Sequence, residues 1–340
     1  MKEGRNEMKR KLGIFAAAIT VGALALSGCG ASNSNSDSAG GGGTEASASG
    51  AASKYANCSL TDGVADATSA SAGSGDKNIT IGAFSGWDES TATAYLMKNI
   101  LTKNGYTANV KTLDAAAAFT ATTKGDVDVI TDVWLPTTHK TYIEQYGDQM
   151  EPLGCWYDNA KLTIAVNSSS PAKSIEDLKS MGGDYNNTLV GIEPGAGETG
   201  VVKDDMIPAY GLQNMTFTTS STAAMLASIK KAEAEKTNVA VTLWKPHWAY
   251  SAFDIRDLDD PKGAMGGKEG IWNFATKGFG ESNPKAAQLF KNLIVPDQEL
   301  SDLEDLMTQK YQGNNPDAAV NEWLTTHPDF ANQLQTGALK

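Results

Sequence analysis

Short apolar runs alternate with amphipathic stretches along residues 77–340, and the alternation predicts strand and helix in turn. The run at 78–83 is β-prone and uncharged, so it reads as a buried strand. A helical stretch near 89–103 follows, with Tyr95, Leu96, Ile100 and Leu101 on one face. Strand 107–112, helix 114–123 and strand 127–132 complete a first series. A second series runs through strand 161–166, helix 174–181, strand 188–192, helix 198–209, strand 214–218, helix 221–235 and strand 238–243. Beyond Pro284 the pattern is helical, at 302–311, 317–324 and 329–334. Parallel βαβ units in two series predict an α/β fold of two lobes with a cleft between them. The length of this part, about 264 residues, exceeds one typical core and points the same way.

The stretch ahead of residue 77 carries no such pattern. Lys2, Arg5, Lys9, Arg10 and Lys11 form a basic start, and Ile14 to Leu26 an apolar run too short to span a bilayer comfortably. It ends in Leu26-Ser27-Gly28-Cys29, which looks like a bacterial lipobox. Residues 1–28 are therefore expected to be a lipoprotein signal peptide, with Cys29 as the lipidated N-terminus. Residues 29–76 are rich in Ser, Gly and Ala, including the run Gly40 to Gly43, and are expected to be a disordered tether.

Charge narrows the partners. The chain carries a formal charge of −12, and loss of five bases and two acids with the leader leaves −15. A balance this acidic argues against nucleic acid and against electrostatic membrane binding. It fits a domain held to the extracytoplasmic face of the cell membrane by its lipid alone. Cys58 and Cys155 remain after Cys29, and outside the cytoplasm such a pair can form a disulfide. No Cys/His spacing suits a metal, so neither metal nor cofactor is expected.

Three tryptophans carry the candidate chemistry. Trp87 lies in FSGWDES just past the first strand, Trp134 in DVITDVWLP and Trp244 in VAVTLWKPHW, each directly after an apolar run. Ligands of open α/β sheets bind beyond the carboxyl ends of the strands, so three indoles there can wall one pocket. Indole is the best side chain for holding a cation by its ring quadrupole, and quaternary ammonium groups are the usual client. His139, in WLPTTHK, shares a loop with Trp134 and can donate to a carboxylate. Strand 188–192 runs into GIEPGAGETG, a Gly-rich turn into a helix whose backbone N–H groups suit an anion. Gly195 to Gly200 also spells GxGxxG. A dinucleotide site would need an acid about 20 residues later, and no Asp or Glu lies between Asp205 and Glu233. His247 sits between two tryptophans and is assigned either to structure or to support of the residues that line the pocket. Trp156, Trp248, Trp272 and Trp323 are assigned to packing, with Trp248 near enough to the pocket to leave its role open.

The set GWDES, DVWLPTTHKTY, GIEPGAG, STAAM, LWKPHW and LDDPKG resembles the glycine betaine-binding proteins of osmoprotectant ABC importers, over essentially all of 77–340. The resemblance implies a type II periplasmic-binding-protein fold, with residues 77–160 plus 271–340 as one lobe and 161–270 as the other. It implies that Trp87, Trp134 and Trp244 form a prism around a trimethylammonium group. It further implies that His139 and the backbone amides of Gly191 and Ile192 hold the carboxylate. The implied protein is not an enzyme. It is a monomer when free, captures glycine betaine or a related betaine and passes it to an ABC permease with its ATPase. Choline, carnitine or proline are the alternative ligands, and a dinucleotide-binding enzyme is the alternative from another class.

Overall fold

The computed structural model describes residues 50–340, so the basic leader, Cys29 and residues 30–49 lie outside the described residues. Among the described residues no helix is long and apolar enough to cross a membrane.

The first half of the sheet follows directly from the apolar runs. Strand β1 (Asn78–Phe84) buries every residue but its first and third. It lies between two parallel neighbours, β2 (Thr107–Leu113) and β3 (Val129–Leu135). Burial on both faces explains why β3 is buried along its whole length. Helix α1 (Asp88–Lys103) connects β1 to β2, and α2 (Ala115–Lys124) connects β2 to β3. Gly125 ends α2 in the left-handed conformation, at φ 74°. A short helix, α3 (Lys140–Tyr146), follows β3.

Strand β4 (Met150–Asn167) is 18 residues long and joins the two halves of the sheet. Up to Ala160 it pairs antiparallel with β9 (Glu269–Thr276), which lies beside β3. From Lys161 it pairs antiparallel with β7 (Ala240–Lys245), and near its end with β8 (Ile255–Asp257). The change of partner thus falls between Ala160 and Lys161. Strands β5 (Thr188–Val190) and β6 (Thr216–Thr218) complete the second half, parallel to one another. The strand order is β2-β1-β3-β9-β4-β7-β5-β6, with β8 beside β4. The C-terminal helices return to the first half. Lys98 of α1 pairs with Asp317 at 2.7 Å, and the fully buried Trp323 donates from its indole to the Glu299 carbonyl at 3.0 Å.

Two expectations need correction. The sheet is mixed, because β4, β7 and β9 supply antiparallel pairs where parallel units were expected. Residues 50–76 are docked on the domain, where a disordered tether was expected. Tyr55 is buried, with its ring edge-on to Trp272 and Phe274 at 5.1 and 5.3 Å. The Ala67 amide donates to the Gln335 carbonyl at 2.8 Å, and the Asn292 side chain holds both backbone groups of Ala65. Cys58 is joined to Cys155 of β4 by a disulfide, with the Cα atoms 5.7 Å apart. Sparse apolar residues suffice here because a preformed surface receives them.

Candidate functional site

The carboxyl ends of β1, β3 and β7 converge on one cavity, walled by Trp87, Trp134, Trp244, His139, Ile192, Leu162, Thr138, Glu89 and Glu198. The side chains close on one another and leave about 20 Å³ that the centre of a water-sized sphere can occupy. Trp87 precedes α1 in an extended conformation, at φ −109° and ψ 116°, which directs the chain from strand into helix. Trp134 and Trp244 are the last but one residues of their strands, each two residues ahead of a cis proline, Pro136 and Pro246. The rings of Trp87 and Trp244 stand 6.3 Å apart at 63°, so indoles from the two halves of the sheet face a common space. Their indole N–H groups are buried without a protein partner, whereas that of Trp134 donates to the Asp132 carboxyl at 2.7 Å.

His139 closes one side. It is fully buried, stacks on Trp87 at 5.7 Å and 18°, and rests against Phe84, Phe119 and Tyr142. Its Nδ1 accepts the Trp134 backbone N–H at 2.9 Å. The ring proton of the neutral form must then sit on Nε2. That Nε2 is buried and has no partner in the protein. Burial lowers the imidazole pKa to about 3, so the ring is a neutral donor throughout the physiological range. An unmatched donor beside an aromatic wall suits the anionic end of a small zwitterion.

The Gly-rich turn divides its duties differently from the expectation. The Gly191 amide donates to the Thr218 carbonyl at 2.7 Å and so is committed to the sheet. A Cβ at Gly191 would meet the Phe217 ring at 2.5 Å, so the glycine is required for close packing of β5 on β6. The Ile192 amide makes no hydrogen bond among the described residues, and Ile192 lines the cavity. Of the two amides, it is the one left to meet a carboxylate. The turn also brings the two halves of the sheet together. Tyr142 donates to the Gly195 carbonyl at 2.8 Å, and Gly197 sits so close to Thr138 that a Cβ there would lie 2.0 Å from the Thr138 carbonyl oxygen.

Several buried acids around the cavity were not singled out in the sequence. Glu89 and Glu198 are part of the wall, and Asp132 and Glu304 stand behind it. Burial raises all four carboxyls well above the usual range, and Glu89 is raised further by the neighbouring Asp132 and Glu304. Glu304 accepts the Trp248 backbone N–H at 3.1 Å, and Asp88 accepts its indole N–H at 2.5 Å. Trp248 therefore ties the loop after β7 to the start of α1. Glu269 holds the Thr138 loop by accepting the amides of Thr137 and Thr138 at 2.7 and 2.9 Å. Among the described residues no group of acids, histidines or cysteines has the arrangement of a metal site. His247 packs its ring on Trp244 at 4.7 Å and accepts the Ala249 amide at 2.9 Å, in keeping with a structural part. Trp156 is fully buried and donates to the Thr131 carbonyl, and His327 stacks on Trp323 at 4.0 Å.

The chain matches one family along most of its length. The substrate-binding domain of ABC-type glycine betaine transport systems matches residues 77–326. The chain belongs to that family. It is 35% identical over 164 residues to the glycine betaine/carnitine transport binding protein GbuC of Listeria monocytogenes serotype 1/2a, covering 48% of this chain and 53% of that protein. The chain thus spans about half the length of that curated relative. It is 24% identical over 278 residues to the glycine betaine/proline betaine-binding periplasmic protein of Escherichia coli K12, covering 70% of this chain and 83% of that one. Among solved structures, lactococcal OpuAC closed on glycine betaine superimposes with a TM-score of 0.71 at 28% identity, covering 76% of this chain and 99% of that one. ProX of Borrelia burgdorferi superimposes equally well at 27% identity, covering 77% and 100%. The fold is accordingly a type II periplasmic-binding-protein fold with a ligand cleft. The family is one of extracytoplasmic substrate-binding proteins of ABC importers, and it is not a family of enzymes.

Proposed function

We propose that this protein captures a betaine, glycine betaine foremost, and delivers it to the permease of an ABC importer with its ATPase. The observation that carries the reading is the meeting of Trp87 and Trp134 with Trp244 around one cavity that also contains an unpartnered His139 Nε2. The indoles receive the trimethylammonium group through their ring faces. The His139 Nε2–H and the Ile192 amide receive the carboxylate. Trp87, Trp134 and His139 belong to one lobe, residues 77–160 plus 271–340, and Ile192 and Trp244 to the other, residues 161–270. The ligand is fully held only when the lobes meet, so binding drives closure, and the closed form is what the permease recognises. The relatives named for glycine betaine support this choice of ligand. The protein acts as a monomer, without cofactor or nucleic acid, on the extracytoplasmic face of the membrane, anchored by a lipid on Cys29.

Titration calorimetry with glycine betaine, proline betaine, carnitine, choline and proline tests the reading. Saturable binding of the betaines without turnover supports it, and absence of binding by every quaternary ammonium compound defeats it. For the anchor, Cys29→Ala releases the protein from the membrane fraction and leaves ligand affinity unchanged. A variant that resists carbonate washing would refute the lipid assignment.

A further inference from the structure

Trp248 follows strand β7 and does not line the cavity, nor do its two hydrogen-bond partners. Its indole N–H donates to the Asp88 carboxyl at 2.5 Å and its backbone N–H to the Glu304 carboxyl at 3.1 Å. Attachment at two points fixes the rotation of the ring as well as its position. Asp88 opens α1 directly after Trp87, and Glu304 belongs to the C-terminal helix Asp297–Asp305. On its other side the Trp248 ring stacks on His247 at 5.6 Å and 30°, and His247 meets Trp244 edge-on at 4.7 Å and 82°. Trp244 in turn faces Trp87 at 6.3 Å. These contacts close a circuit. It runs from Trp87 to Asp88 along the chain, from Asp88 to Trp248, through His247 to Trp244, and back to Trp87. The spacing of two indoles of the cage is thus held from outside the cavity. The bond from Tyr142 to the Gly195 carbonyl also joins the two halves of the sheet, but it is exposed, so water can replace it. Trp248 and Asp88 are half-buried and Glu304 is fully buried, so their bonds are better shielded.

We propose that Trp248 is a positioning residue, a latch that joins the two lobes outside the cage and sets how long the closed form keeps its ligand. The proposal rests on the lobes and cage of the proposed function, in which Trp248 belongs to residues 161–270 and Asp88 and Glu304 to the other lobe. A bond made only when the lobes meet stabilises the closed form and not the open one. It therefore slows release and leaves the first encounter with ligand unchanged. Because the latch does not touch the ligand, it acts by the same factor on every ligand that the cage accepts.

The test is stopped-flow binding of glycine betaine and of proline betaine, followed by tryptophan fluorescence, for wild type, Trp248→Phe, Asp88→Ala, Asp88→Asn and the double variant Trp248→Phe/Asp88→Ala. Trp248→Phe keeps an aromatic ring and removes the indole N–H. It should raise the release rate by about tenfold, the scale of one lost hydrogen bond to a carboxyl, and leave the association rate within about threefold. The factor should be the same for both ligands. Asp88→Ala should raise the release rate similarly, and the double variant no further than the larger single change. Asp88→Asn, which keeps an acceptor oxygen, should release more slowly than Asp88→Ala. Thermal melting of the ligand-free variants checks folding, and Asp88→Ala carries the test if Trp248→Phe does not fold. A wild-type release rate in a folded Trp248→Phe overturns the latch and leaves the betaine reading standing. So does a factor that differs between the two ligands, which would place Trp248 in contact with ligand, or single changes that multiply in the double variant. Wild type that binds neither betaine overturns the betaine reading and the latch with it.

Discussion

Substitution of Gly197 by Ala separates ligand capture from folding. The added Cβ would lie 2.0 Å from the Thr138 carbonyl oxygen and 2.7 Å from its carbon, about 1.4 Å inside ordinary contact with the oxygen. Both atoms are backbone, so no side chain can swing aside. The Thr138 loop is itself pinned by the Glu269 carboxylate through two amides at 2.7 and 2.9 Å. Relief must come from drawing the Gly197 helix away from that loop, which opens the cleft. Overpacking of a tight contact costs about 1–3 kcal/mol. Levied on the closed form alone, this weakens glycine betaine binding by roughly 5- to 150-fold. The ligand-free protein can open, so its melting temperature should move little. Gly200→Ala, three residues along the same helix, is the control, because a Cβ there meets nothing within 4 Å. Calorimetry gives the affinities and thermal melting the stability. Wild-type affinity in Gly197→Ala, or an equal loss in Gly200→Ala, would refute closure through this contact.

Three further outcomes follow from the same geometry. Trp87→Phe and Trp244→Phe should each cost less affinity than Trp134→Phe, because only the Trp134 indole satisfies a buried acid, Asp132, and calorimetry that ranks Trp134→Phe mildest would contradict this. Glu304 is raised well above 4.5 in the fold, by burial first and Asp88 second, so it keeps its proton where the unfolded chain has lost it. Its contribution to stability therefore falls as pH rises above about 4.5 toward the folded value. Glu304→Gln retains an acceptor for Trp248, and its melting temperature relative to wild type should rise from pH 5 to pH 8; a constant difference would show that the carboxyl titrates normally. The Cys58–Cys155 disulfide spans 97 residues of sequence and lies away from the cavity wall. Cys58→Ser should lower stability by about 2–4 kcal/mol in denaturant unfolding without altering ligand affinity, and an altered affinity would show that the docked segment reaches the site.

Where elements are continuous in sequence, the hydrophobic pattern sufficed to find them. Strand β1, helix α1 and strand β2 appear within a residue or so of the positions their periodicity predicts. The first half of β4 escaped because Pro152 and Gly154 interrupt it, and its order depends on β9, more than a hundred residues away. Strand β9 escaped for the same reason, since its partners on both sides are remote. Residues 50–76 have the composition of a linker, and they take their order from remote partners: the pocket that receives Tyr55, the bond to Cys155, and the hydrogen bonds of Ala65 and Ala67 to Asn292 and Gln335. The three tryptophans were legible because each closes an apolar run. The acidic wall was not, since Glu89, Asp132, Glu198 and Glu304 are scattered along the chain and only the fold brings them together. One signal was present: Asp132 is the single charge in VITDVWL, a strand buried along its whole length. Gly191 shows the reverse limit, because the same Gly-Ile pair suits an anion site or a tight sheet contact until Thr218 and Phe217 are placed beside it.

The central claim is that indole faces recognise the methylated cation. Calorimetric titration of the protein with glycine, sarcosine, dimethylglycine and glycine betaine tests it most directly, since the carboxylate is constant and only the methyl count changes. The cage predicts affinity that rises with each methyl group and reaches at least about a hundredfold between glycine and glycine betaine, from cation–π attraction joined to apolar burial. Equal affinity across the series, or tightest binding of glycine, would contradict it.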